Sequence, residues 1–321
     1  MNFHSTSFLV ETSGFAKRLT EKRLSKKMLL YKQIALIFLL LSGFLLPGKA
    51  QTFADKNALR VMTFNIRYNE PKDGVNAWTN RKTKVADVIR FHKADLIGVQ
   101  EAQHNQLKDL EKLLPDFAWC GVGRDGANEG EFSAVLYRKS RFRLLENQTF
   151  WLSVTPEKVG SKGWDANLPR IVTWAKFRDR QTKKTFFHFN THFDHIGKQA
   201  RSESAKLLLA QIQKITGKFP FVVSGDFNAK EETDVYRILT GKIESANFKL
   251  IDARYISIGG HFGGNSTFNA FKELIPENRI DYVFVGKGAR VLEHGILSDR
   301  WDGLWASDHL PVLAEIVFSK K

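Results

Sequence analysis

The stretch FVVSGDFN, residues 221–228, decides how this chain is read. Four residues suited to a buried strand, Phe221 to Ser224, lead through Gly225 to a carboxylate, Asp226, and an amide, Asn228. A carboxylate at the end of a buried strand needs a cation, a proton-transfer role or a dense set of hydrogen bonds to offset its desolvation. Taken alone, Asp226 and Asn228 could also do no more than shape a turn. Repetition favours the first reading. TFNIR (63–67) closes an apolar run at 59–64, QE (100–101) closes one at 96–99, and NTHFDH (190–195) closes one at 185–190. RIDY (279–282) opens the run 280–285, and SDH (307–309) precedes the run 312–317. Polar side chains from several strands are thereby expected to converge on one edge.

Further strand-length runs lie at 134–137 and 171–177, and helical periodicity appears at 81–91, 105–114, 199–215 and 233–239. Strands alternate irregularly with helices, and no helix separates those between 134 and 177. This predicts a mixed sheet, or two sheets packed on each other with helices outside. Residues 153–169, rich in Gly, Pro, Ser and Trp, read as a long loop, and long loops in compact domains are often functional.

The side chains at these ends define a chemistry. His192 and Asp194 alternate with Phe193 and share one strand face, while Asp308 and His309 precede a turn set by Pro311. No pair of histidines spaced i, i+4 on a helix suggests zinc. Carboxylate and amide oxygens such as those of Glu101 and Asn65 suit a hard cation, Mg²⁺ first and Mn²⁺ second. A Gly-rich phosphate loop followed by Lys and Ser or Thr is absent, so triphosphate binding of that kind has no support.

In this order along one chain, the six clusters resemble the endonuclease/exonuclease/phosphatase superfamily, from about residue 59 to residue 317. The resemblance implies an α/β (α+β) four-layer α-β-β-α sandwich, two mixed β-sheets flanked by helices. It implies Asn65, Glu101 and Asp308 at a metal ion, and Asp226 as the base that deprotonates the attacking water, with Asn228 orienting it. It further implies His309, held by Asp281, stabilising the phosphoryl group, and His192 near the leaving oxygen. The chain is most similar to an exported bacterial branch that shares WLS (151–153), GWDAN (163–167) and PRIVTWAKF (169–177). From those segments Arg170 and Trp164, with Trp151, Asp165 and Trp174, are expected to line the substrate pocket, where aromatics and an Arg stack on a ring and grip phosphate. Asp194 and His195 extend a motif that simpler members lack and are expected to select substrate. The expected substrate is a phosphorylated small molecule or lipid head group, as monoester or diester. An exported nuclease is the alternative. A catalytically silent binding module of the same fold fits poorly with so complete a set of polar strand ends. No obligate protein partner is expected, and the protein is read as a monomer.

Residues 1–50 read differently. Lys26 and Lys27 precede an apolar run at 34–46, and Gly48, Lys49 and Ala50 place small residues where a signal peptidase cuts. We expect a secreted or periplasmic protein with Gln51 as its first mature residue, and residues 51–321 as a single domain. A start at Met28 would give a signal peptide of ordinary length over 28–50. With eight Lys or Arg and two Glu, the leader carries +6 of the chain's +15, leaving +9 for residues 51–321. Such a surface suits anionic substrates by long-range steering. The single cysteine, Cys120, cannot close an internal disulfide, and a core of this size needs none.

Overall fold

The computed structural model describes residues 23–34, 55–243 and 248–318, and divides into two units, Met1–Thr52 and Phe53–Lys321. In the first, residues 23–34 form an exposed helix, α1, which carries Lys26, Lys27 and Met28. The expected cleavage region at 48–51 and nearly all of the apolar run 34–46 lie outside the described residues. No helix among the described residues is long and apolar enough to cross a membrane.

The second unit carries the strands. In chain order they are β1 (Leu59–Asn65), β2 (Leu96–Gln100), β3 (Phe117–Cys120), β4 (Val135–Arg138), β5 (Phe142–Trp151), β6 (Ile171–Asp179), β7 (Thr185–His192) and β8 (Phe221–Asp226). There follow β9 (Ile251–Asp252), β10 (His261–Phe262), β11 (Asp281–Val285), β12 (Ala289–Ile296), the short pair β13 (Arg300–Trp301) and β14 (Leu304–Trp305), and β15 (Val312–Phe318). Helices α2 (Trp78–Phe91), α3 (His104–Leu113), α4 (Lys198–Thr216) and α5 (Asp234–Leu239) complete the set. One sheet has the order β10-β12-β15-β1-β2-β4-β3 and the other β5-β6-β7-β8-β11-β9. Both are mixed: β1 runs parallel to β2 and β7 to β8, whereas β15 and β11 run antiparallel to β1 and β8.

Strand parity builds the layers. Leu59 and Val61 of β1, Leu96 of β2, Phe186 of β7, Val222 of β8 and Val283 of β11 form the core between the sheets. The alternate residues Met62, Phe64, Ile97 and Val99 pack outward against Val85, Val88 and Ile89 of α2 and Leu107 and Leu110 of α3. Phe187, Phe189, Val223 and Phe284 pack outward against Leu208 and Ile212 of α4 and Val235 and Ile238 of α5. The result is the four-layer sandwich expected. Each such aliphatic or aromatic side chain contributes roughly 1.5–3 kcal/mol by leaving water. Residues 153–169 hold neither helix nor strand, as their composition indicates. β5 was not anticipated, because this edge strand exposes Arg143, Glu146, Asn147 and Gln148 and lacks the apolar signature of a buried strand.

The same parity that places Val61, Leu96 and Val222 inside carries Asn65, Gln100, His192, Asp226 and Asp281 to the inner faces at one end of the sandwich. There the middle layer turns polar. Gln100 Nε2 donates to Asn190 Oδ1 at 2.7 Å and to Thr63 Oγ1 at 3.0 Å, and Asn190 Nδ2 donates to the Val99 and Ala134 carbonyls, both at 2.9 Å. Gly98 allows this approach of the sheets, since a Cβ there would lie 2.1 Å from Ser224 Oγ and 2.3 Å from Asn190 Oδ1.

Candidate active site

Above that polar floor lies a cleft of about 630 Å³ whose wall includes Glu101, His192, Asp226, Asn228, Asp308 and His309. Asp226 ends β8 directly opposite Asp281, which begins the antiparallel β11. Asp281 stands behind His309 and accepts from its Nδ1 at 2.9 Å. On the cleft side, His309 Nε2 is 3.8 Å from Asp226 Oδ2. Burial opposes charge on the His309 imidazole, but the carboxylates of Asp281, Asp226 and Asp308 outweigh it and hold its pKa well above the usual histidine value. The surrounding carboxylates therefore favour the protonated form of His309. Burial and the Asp281 charge push the Asp226 carboxyl up to about 7, against the opposing pull of His309, the Asn228 backbone N–H and the Asn65 amide.

Two amides fix their neighbours' protonation. Asn228, in a left-handed conformation (φ 48°), donates through Nδ2 to the Phe193 carbonyl at 3.0 Å. The carbonyl can only accept, so the second N–H of that group donates to His192 Nε2, also at 3.0 Å. His192 is thus neutral with its proton on Nδ1, and its pKa lies well below the ordinary value because of burial and the nearby Arg170 and His309. Asn65 Oδ1 accepts from the Arg67 backbone N–H at 3.0 Å, which turns its Nδ2 toward Glu101 Oε1 at 3.1 Å and Asp226 Oδ2 at 3.0 Å. Asn65 ties the two carboxylates together from behind the cleft wall. Glu101 follows β2 with φ 59°, and its Oε2 accepts from Tyr68 N–H at 3.2 Å.

Carboxylates crowd this end. Burial and Glu101 raise the Asp308 pKa against His309 and Arg67, and Arg67 Nε lies 4.0 Å from Asp308 Oδ2. Asp226, Asp281 and His309 present ligand atoms within 4.8 Å of one another. Asp281 Oδ1 is buried without a hydrogen bond among the described residues. An oxygen-rich set with surplus negative charge and an unsatisfied carboxylate oxygen fits a hard divalent cation.

A second group flanks the cleft. Arg170, buried, donates through Nε to Asp194 Oδ2 at 3.4 Å and through Nη2 to His195 Nδ1 at 2.9 Å. Asp194 also accepts from Ile196 N at 3.0 Å, Gly197 N at 2.7 Å and Leu168 N at 3.3 Å. Despite burial, these donors and Arg170 hold its carboxyl down at about 2. Arg170 and His195 line the cleft and Asp194 does not. The expectation that Asp194 reads substrate is corrected: its oxygens are spent on Arg170 and the loop backbone.

The tryptophan-rich segments are also corrected. Trp164 lies outside the cleft wall, Trp174 packs in the outer core beside Phe187, and Trp151 is buried with Nε1 donating to the Arg124 carbonyl at 2.7 Å. Asp165 accepts from Ala200 N at 2.6 Å, at the start of α4. What those segments bring to the cleft besides Arg170 is Asn167 and Leu168. Sequence reading missed Arg124 and Glu131, an ion pair of 2.7 Å on the cleft wall, because they sit in a loop with no apolar run to flag them. It also missed Arg81, whose buried guanidinium donates to the carbonyls of Ile66, Arg67 and Tyr68 and so anchors the Arg67 turn.

The model of the "Endonuclease/Exonuclease/phosphatase family" matches residues 62–309. The chain belongs to this family. Members of the endonuclease/exonuclease/phosphatase family are phosphoester hydrolases, and this protein is an enzyme of that class. Among solved structures of the family, one from Bacteroides vulgatus is 40% identical, with TM-score 0.78, covering 82% of this chain and 100% of that one. A mannosyl-6-phosphatase from Bacteroides thetaiotaomicron is 37% identical, with TM-score 0.77, covering 81% of this chain and all of that one. An uncharacterised protein of Acanthamoeba polyphaga mimivirus is 25% identical over 276 residues, 79% of this chain and 98% of its own length. The human Nocturnin catalytic domain, at 21% identity and TM-score 0.64, shares the fold.

Proposed function

We propose that the protein is an exported, divalent-metal-dependent phosphatase of small phosphate esters, sugar phosphates first and lipid head groups second, acting without an obligate protein partner. The observation that carries this reading is the pairing of His309, held by Asp281, with Asp226 on one wall of a concave cleft of about 630 Å³, of a size to enclose a phosphorylated monosaccharide. The similarity to a mannosyl-6-phosphatase along that protein's whole length supports the substrate class. The positive charge of residues 51–321 favours encounter with anionic esters.

Glu101, tied to Asp226 through Asn65, and Asp308 would hold Mg²⁺ or Mn²⁺. When bound, the ion supplies charge neutralisation at the phosphoryl oxygens. The chain's own groups do the rest. Asp226 accepts a proton from the attacking water, a role suited to a carboxyl that burial and Asp281 make more basic than usual. His309, kept cationic by Asp281, donates to a phosphoryl oxygen as charge grows there. Asn228 holds His192 in one tautomer beside the reacting group.

The test is phosphate release by the purified protein, with Mg²⁺ or Mn²⁺, from hexose 6-phosphates, glycerophosphodiesters, RNA and plasmid DNA. Hydrolysis of small esters, abolished by chelation and by Asp226→Asn, is expected. Cleavage of nucleic acid alone would reject the reading in favour of a nuclease. For export, fractionation of the native host and N-terminal sequencing are expected to give a product beginning at Gln51.

A further inference from the structure

Beside the catalytic cleft lies a second cavity, of about 510 Å³, that shares His309, Asn228 and Phe268 with it as a common wall. This cavity is therefore within reach of an ester whose phosphoryl group sits at His309. The two spaces differ in charge. The first holds both signs, with Glu101, Glu131, Asp226 and Asp308 facing Arg67, Arg124 and Arg170, while in the second Lys198, Arg201 and Lys230 outnumber the one acid, Asp234.

We propose that this second cavity is an anion subsite, in which Lys198, Arg201 and Lys230 receive a negatively charged group of the substrate other than the phosphoryl that is cleaved. The proposal rests on the phosphatase reading above and narrows it to small phosphate esters that carry a second anionic group, a phosphate or a carboxylate.

Among the described residues, neither Lys198 nor Lys230 has a carboxylate partner. Arg201 spends one donor on the Asp194 carbonyl, at 2.9 Å, and keeps the remainder of its guanidinium. Asp234 also lines the cavity, and it is paired with Arg237 Nη1 at 3.4 Å. Three cations around one concavity repel one another, and an anion placed among them relieves that repulsion. Their position runs against the local preference as well. Lys198 and Arg201 stand in the first turn of α4, where the helix dipole favours acidic side chains; its own sequence holds no acid, and its Gln199 and Ala200 N–H groups are taken by Asp165 from another segment. Phe268, Val235 and Ile280 give the cavity apolar wall for a carbon skeleton.

The experiment compares three esters on the full chain with Mg²⁺: a hexose 6-phosphate, the matching hexose 1,6-bisphosphate and a 6-phosphorylated sugar acid. The wild type is expected to favour at least one two-anion ester over the hexose 6-phosphate in kcat/KM. In Lys198→Ala/Lys230→Ala that preference is expected to fall about tenfold, carried by KM, as two charge-assisted contacts are lost. Lys214→Ala/Lys218→Ala, at the far end of α4, makes the same change in net charge and is expected to keep the preference. The ester that loses most identifies the second anion as phosphate or carboxylate. A wild type that prefers neither two-anion ester, or a preference unmoved by Lys198→Ala/Lys230→Ala, overturns the subsite while leaving the phosphatase reading intact. Failure to release phosphate from any of the three overturns both.

Discussion

Two buried acid–base clusters sit within three residues of each other in sequence and differ in one respect. Arg279 and Asp281 belong to the same motif, RIDY. Arg279 joins Asp252 and reaches Glu231 Oε1 at 2.9 Å, with its guanidinium carbon 4.3 Å from the centre of the Tyr282 ring. Asp252 further accepts from Tyr236 Oη at 2.9 Å and Arg254 N at 3.0 Å. Both Asp252 oxygens there are taken, although Arg279 Nε has no partner among the described residues. Asp281, by contrast, has one oxygen on His309 and the other without a hydrogen bond among the described residues, and it faces the carboxylate of Asp226, whose pKa is pushed up to about 7. Burial of charge is common to both; what marks the one that performs chemistry is its carboxylate, half-satisfied and facing a second carboxylate, where Asp252 is met by donors on both oxygens.

The largest effect expected from this contrast is on Asp281→Asn. Losing the charge that keeps His309 cationic is expected to lower kcat roughly 10²–10⁴-fold with little change in melting temperature. The pH profile should also shift, because His309 would then titrate lower. An unchanged profile would place Asp281 among structural residues and break the contrast. Next comes Arg279→Ala, which leaves Asp252 buried without its cation and is expected to cost about 3–5 kcal/mol in denaturant unfolding. The folded fraction should turn over substrate at close to the normal kcat. A kcat loss without a stability loss would reverse the assignment of the two clusters.

Asp194 sharpens the contrast with the smallest effect. Its carboxyl is saturated and depressed to about 2, against an ordinary value near 4, so the folded state binds its proton less readily than the unfolded chain. Its contribution, about 2 kcal/mol, is complete above about pH 4 and disappears as pH falls through about 2. Asp194→Asn should therefore lower stability at pH 7 by about that amount, and the gap to wild type should close in acid. A gap independent of pH would assign the loss to packing.

The strands carrying Asn65, Glu101, His192, Asp226 and Asp281 were legible because each is an apolar run of strand length with a polar residue at one end. The fold followed from the same signal, while β5 and the loop pair Arg124 and Glu131 escaped it, being exposed or irregular. Of the residues expected to line the pocket but standing outside it, Trp174 and Asp194 show the physical reason most plainly. Trp174 alternates onto the outer face of β6, which a local pattern rich in apolar residues on both faces does not distinguish. Asp194 turns to its own loop, whose N–H groups satisfy it better than the cleft would.

The sequence by itself determined which residue types stand at the strand ends, since the period of two that sets a strand's inner face is a local property. Only the tertiary structure decided which of them form the cleft wall and which stand behind it. His309 faces the cleft and Asp281 supports it, Arg170 faces it and Asp194 supports it, and Lys198 and Lys230 meet beside Asn228 although 31 residues separate them. Those placements follow from how two sheets and their loops close on one another, and contacts of such range leave no trace in the pattern of any single segment.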